Sequence, residues 1–174
     1  MTRERQVAGS DRRDRIGGLV ERANAIVCTI APPSLAQFVL RFGLAVPFWQ
    51  SGVNKWDGFL QLNDVAVLLF SSELKLHLPG GPYSFPAPGV VAFASGSAEI
   101  LLPILLVLGF ATRLAALGLL AMTIVIEFTV PDGWPIHVTW AAMALGLMAW
   151  GPGLISLDHW IRRRFGIEDP QARA

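Results

Sequence analysis

Cysteine is nearly absent: Cys28 is the only one in 174 residues. That excludes an intrachain disulfide, a C-x-x-C redox pair and a thiolate zinc site. It also argues against membrane proteins that relay electrons through cysteine pairs. Histidine is scarce too, and His77, His137 and His159 do not make up the set of axial ligands that a bis-haem membrane protein takes from facing helices. Charged residues are only 16% of the chain, against about 25% in soluble domains, and they gather at its two ends. With a net charge of +1 and no basic–aromatic patch, the sequence gives no sign of a nucleic-acid partner. No secretory signal is read at the N-terminus, because residues 1–25 carry six arginines and no apolar run. Insertion would fall to the first spanning helix.

What is present is hydrophobic. The apolar fraction is 53% and the mean hydropathy +0.50, above the usual range of about 45–50% apolar. The sequence therefore predicts an integral membrane protein. Its centre is Val90 to Phe110, VVAFASGSAEILLPILLVLGF, a run of the roughly 20 residues that a helix needs to cross a bilayer. Glu99 lies in the middle of it, where an ionised carboxylate costs at least about 2.5 kcal/mol in lipid. Ala92, Ser95, Gly96, Glu99 and Pro103 share one helical face of small or polar residues. Such a face lets helices approach closely, so Glu99 is expected to point into a bundle.

The remaining spans follow by periodicity and punctuation. Residues 1–15 read as a loosely held polar tail. Ile16 to Ile30 reads as an amphipathic helix, lying either on the membrane surface or on the bundle's own end. The first span is Leu35 to Trp56, the second ends at Gly109, the third runs from Leu114 to about Val130, and the fourth from Ile136 to Trp150. Between spans one and two, residues 57–87 are too long for a structureless connection. They read as a cap with a short helix over Leu62 to Ser72 and a hairpin turning at the PGGP of Pro79 to Pro82. The expectation is an all-α membrane protein: a four-transmembrane-helix bundle over 35–154, preceded by a polar tail and amphipathic helix over 1–34 and followed by a basic tail over 155–174. Arginines cluster before span one, at Arg113 and after span four, while the opposite side carries only Lys55 and Lys75. The positive-inside rule then puts both termini in the cytoplasm and the cap outside.

Polar residues at depth are the candidate site. Measured from Lys55 and Pro88 as a common outer boundary, Arg41 is ~21 Å and Glu99 ~16 Å down at about 1.5 Å per residue. That predicts a buried Arg41–Glu99 pair. The alternative satisfies each alone, Arg41 by snorkelling and Glu99 by protonation. A second group, Gln50, Asn54, Lys55, Glu127 and His137, gathers near the outer face. Lys55 and Glu127 would neutralise one another there and exchange protons with His137, or the group is an interfacial rim anchored by Trp49, Trp56, Trp134 and Trp140. A metal site from Glu127, His137 and His77 has no supporting ligand spacing, and no metal is expected.

The arginine-bearing first span ending in SGVNKW, with the G-x-x-K of Gly52 to Lys55, and the segment GSAEILLPILLVLGFATRLAAL resemble the DoxX family of small bacterial membrane proteins. The resemblance implies a multi-pass protein of the bacterial inner membrane. The family is named for a small subunit associated with an archaeal thiosulfate:quinone oxidoreductase, and other members are tied to oxidative, thiol or metal stress. It supplies no catalytic residues to carry over; Arg41, Lys55 and Glu99 match its recurrent charged positions. The long insert over 57–87 departs from its shortest members. The resulting expectation is a redox- or stress-associated membrane subunit with no cofactor of its own, meeting an oxidoreductase partner and a quinone flanked by Phe48, Trp49 or Trp140. The alternatives are a small transporter or permeability factor, or a scaffold that recruits partners. The bilayer is a partner in each case, and an oligomer is compatible with all of them.

Overall fold

A computed structural model describes residues 3–167, with side chains from Gly17 onward. Helix α1 (Arg3–Ile30) takes in residues 3–15, which the sequence reads as a loose tail. Its residues from Leu19 to Ile30 are exposed throughout, so it does not lie packed on the bundle's end. Pro32 and Pro33 break it from α2 (Pro33–Val53), and the two helices meet at 49°. Proline fits the first position of a helix, whose N–H would be unpaired in any case.

The cap follows. Strands β1 (Trp56–Gly58) and β2 (Gln61–Leu62) pair antiparallel. Helix α3 (Asp64–Leu68) is capped by Asn63, whose side chain accepts from Ala66 N at 2.6 Å, and continues as one π turn over Leu69–Glu73. Strands β3 (Lys75–Leu78) and β4 (Gly81–Ser84) then form a hairpin around Pro79 and Gly80. Gly80 has φ +99°, the left-handed region that this tight turn demands and that glycine enters freely.

Four helices make the body: α2, α4 (Pro88–Leu108), α5 (Thr112–Thr129) and α6 (Trp134–Trp150). A short amphipathic helix, α7 (Leu157–Phe165), closes the chain. Packing is most extensive between α2 and α4 and between α5 and α6, and α2 also lies on α6. Leu44, Phe48, Leu106, Leu119, Ala144 and Leu147 form the core where the two pairs meet. The stripe expected on the central helix is the buried face of α4: Ala92, Gly96, Glu99, Pro103 and Leu106. The opposite faces expose Leu101, Leu114, Ile124 and Leu145, as a surface against lipid should. Helices α4 and α5 are each long and apolar enough to cross a membrane, and α1 with α2 qualifies only as a bent pair. At 17 residues, α6 is at the lower limit of a spanning helix.

One packing detail displaces the expected site. A Cβ on Gly52 would lie 3.0 Å from the backbone and Cβ of Glu99, so α2 touches α4 with its last turn at the level of Glu99. Pro88 is eleven residues further on, and α4 overshoots α2 by roughly 15 Å. The cap covers this overshoot: α3 and the π turn pack on it, and Trp56 folds back onto Gly96, where a Cβ would sit 3.1 Å from the indole.

Candidate functional site

The bundle has a cap end and a tail end, and each buries charge. At the tail end Arg41, 1% exposed, donates from Nη1 to Leu106 O and Val107 O at 3.4 and 3.3 Å and from Nη2 to Ile155 O. The first two belong to the last turn of α4, where carbonyls lack the usual helical partner. Gly109 turns left-handed at φ +68°, and Phe110 N and Gly109 N return to Leu105 O and Leu106 O, the Schellman arrangement. A cation at a helix C-terminus meets the negative end of its dipole, and the guanidinium also stands 5.5 Å from the Phe38 ring. The next helix is treated in mirror fashion. Asp158 of α7 accepts from Ala111 N at 2.8 Å and Thr112 N at 2.9 Å, capping α5, which has no cap of its own. Its charge also lies close enough to act on Arg41.

At the cap end Lys55 Nζ meets Glu99 Oε2 at 2.5 Å, with both side chains largely buried. Lys55 also donates to Ser51 Oγ at 2.9 Å and Ser51 O at 3.4 Å, and Ser95 Oγ donates to Glu99 Oε1 at 3.0 Å. The expected Arg41–Glu99 pair is therefore corrected: each charge has a different partner. The depth estimate failed because it put Pro88 level with Lys55. Arg41 and Gly52 are eleven residues apart on α2, or ~16 Å, and Glu99 is at the Gly52 level. Pairing of Lys55 with Glu127 is corrected for the same reason, since Lys55 is held by Glu99.

Beside this pair opens a cavity of ≈510 Å³, lined by α2, α4, α5, α6 and the cap. That volume is within the range of about 300–1,000 Å³ typical of small-molecule sites. Its walls are apolar except at Ser51, Lys55, Ser95 and Glu99, with Thr129 at the rim end of α5. Phe48 and Trp140 line it, their ring centroids 5.2 Å apart. Phe70 of the π turn and Phe85, 5.7 Å apart, line it from the cap.

A model of the DoxX family matches residues 36–132. The chain belongs to the DoxX family. An uncharacterized protein of Haemophilus influenzae is 27% identical over 140 residues, covering 72% of this chain and 82% of its own length. No solved structure matches. The matched span takes in Arg41, the Lys55–Glu99 pair, the cap and most of the cavity wall, whereas α6 and α7 lie beyond it. In this DoxX protein the G-x-x-K at the end of α2 has a physical meaning. Gly52 admits the backbone of α4, and Lys55 then reaches the glutamate on it.

The other candidates are placed as follows. Trp49 and Gln50 face away from the cavity, onto a separate groove of ≈480 Å³ beside Pro103. Asn54 ends α2, and its carbonyl accepts from Asn63 Nδ2 at 2.7 Å, tying the cap to the bundle. Glu127 Oε2 is 2.7 Å from His137 Nδ1, and the His137 ring packs on Trp140 at 5.1 Å. His77 is turned instead to Phe128 O, at 3.1 Å. Among the described residues no three His, Cys, Asp or Glu side chains are grouped to hold a metal ion. Sequence reasoning missed Ser51, Phe70 and Phe85, which only the packing brings to the cavity. It also missed Asp158, which it grouped with a basic tail. A helix start at Ser156, whose hydroxyl accepts from His159 N, was the available signal.

Proposed function

We propose that this DoxX protein is a four-span bundle of the bacterial inner membrane, with its tail end in the cytoplasm, that serves a redox or stress system by holding a quinone in the cap-end cavity. The observation that carries this reading is an apolar chamber with one polar wall. Phe48 and Trp140 offer ring surfaces, and Lys55, Ser51, Ser95 and Glu99 offer donors and acceptors at a single place. An amphiphilic ring with oxygen substituents suits that division. Lys55 and Ser95 would hold the oxygens, Phe48 and Trp140 the ring, and Glu99 would balance the lysine's charge. A bound quinone would supply the electron chemistry, with an oxidoreductase partner as the electron source. The sidedness rests on the arginines at the tail end, and α1 with its exposed Leu19, Ile26 and Ile30 would lie in the cytoplasmic interface.

The transporter reading has less support. Between the Lys55–Glu99 pair and Arg41 lies a layer of buried apolar side chains, Leu44, Ala45, Phe48, Leu106, Leu119 and Leu147, which does not suit the passage of a polar solute. The test is purification in mild detergent followed by titration with decylubiquinone, read by calorimetry and by quenching of Trp140 fluorescence against a Trp140→Phe control. Saturable binding is expected, weakened roughly tenfold or more by Glu99→Gln, as loss of a charged hydrogen-bonding group implies. Absence of binding at millimolar quinone, with no oxidoreductase recovered alongside the protein, would overturn the reading.

A further inference from the structure

A second pocket, ≈190 Å³, lies at the tail end, away from the cavity. It holds two arginines, Arg162 and Arg113, and Arg113, on the first turn of α5, has its Nε buried without a hydrogen-bond partner. The connection from α6 to α7 wraps around this side chain. Gly151 has φ +77° and runs so close that a Cβ there would be 3.3 Å from Arg113 Nη2, while Gly153, at φ +79°, closes on Gln37. Both conformations favour glycine. His159 and Arg162 of α7 line the opposite side, and Ser34, Gln37 and Trp150 complete the wall. No acidic side chain lines the pocket among the described residues. Asp158, the neighbour of His159, directs its two carboxylate oxygens to Ala111 N and Thr112 N instead.

A buried N–H without an acceptor is costly, and a guanidinium fork matches the oxygens of a phosphate. The surroundings indicate which phosphate. Trp150, Leu154, Ile155 and Trp160 are all more than half exposed around this end, an apolar rim that suits acyl chains. Basic pockets between helices on the cytoplasmic side are where anionic head groups bind. We propose that this pocket binds the phosphate of an anionic phospholipid head group, with Arg113 as its main anchor. The inference takes the tail end to lie at the membrane interface but is independent of the quinone site.

The experiment compares phosphatidylglycerol, phosphatidylcholine with the same acyl chains, and inorganic phosphate, each added to the detergent-purified full chain. Retention is read by native mass spectrometry and stabilisation by thermal melting. Phosphatidylglycerol is expected to be retained and to raise the melting temperature, and phosphatidylcholine is not. Arg113→Gln is expected to weaken retention about fivefold, the value of one basic residue near an anionic surface. Arg164→Gln, in the exposed last turn of α7, leaves it unchanged. Equal retention of the two lipids overturns the proposal, and so does stabilisation by inorganic phosphate without any by lipid. If Arg113→Gln fails to fold, His159→Gln and Arg162→Gln carry the test, and undiminished retention in both overturns it.

Discussion

Arg41 and Glu99 are both buried charges, yet their solutions differ in kind. Arg41 is held by backbone carbonyls, two of them at a helix end, and Glu99 by Lys55 and Ser95, with Ser51 accepting from the lysine. Removing one partner of the second arrangement leaves the other charge buried, whereas removing both need not cost stability. Lys55→Met and Glu99→Leu are each expected to lower stability in detergent by about 3 kcal/mol, and the double variant Lys55→Met/Glu99→Leu should recover most of that loss. The same cycle should give a coupling of about 4 kcal/mol or more for Lys55 with Glu99 but about 0.5 kcal/mol or less for Arg41 with Glu99. An Arg41–Glu99 coupling as large as that of the lysine would refute the separation of the two centres. Arg41→Met should destabilise by about 2–4 kcal/mol, through the carbonyls it leaves unpaired.

At the scale of helices, two contacts set the geometry of the bundle. Gly52 fixes how closely α2 approaches α4, and the obstacle to a side chain there is the backbone of Glu99, which cannot rotate away. Gly52→Ala should therefore cost about 1–3 kcal/mol and weaken quinone binding by spreading the wall that presents Lys55; unaltered melting and binding would show the contact to be loose. Asp158 is the other contact. It lends α5 a cap from a distant part of the chain and docks α7 on the α4–α5 turn, where Asp158 N also donates to Gly109 O at 2.9 Å. Asp158→Ala should lose about 1 kcal/mol, with faster amide exchange in the first turn of α5 and none in the centre of α6. Uniform acceleration through the bundle would argue against a local cap.

Over the whole molecule the prediction concerns sidedness. The scarcity of cysteine is useful here, because exposed Cys28 on α1 is a ready-made label. A membrane-impermeant maleimide should react with it in inverted vesicles but not in intact spheroplasts. In a Cys28→Ser background, Ser71→Cys in the cap should show the reverse. Labelling of both from one side would rule out a cap and N-terminal helix on opposite faces.

The membrane character, the boundaries of helices α2, α4, α5 and α6 to within about three residues, the β3–β4 hairpin and the buried face of α4 were all legible in the sequence. Each depends on periodicity along a single element, or on proline and glycine, which act locally. Which charge meets which was not legible, because spacing along a helix says what faces inward but not how far one helix is slid past another. That slide is decided by contacts between elements, Gly52 on Glu99 and Trp56 on Gly96, and by a cap that covers the overshoot of α4. The sequence by itself determined that Arg41 and Glu99 would be costly charges in need of partners. Only the tertiary structure assigned those partners, because a shift of roughly 15 Å in register moves a carboxylate from one cation to another without changing any local pattern.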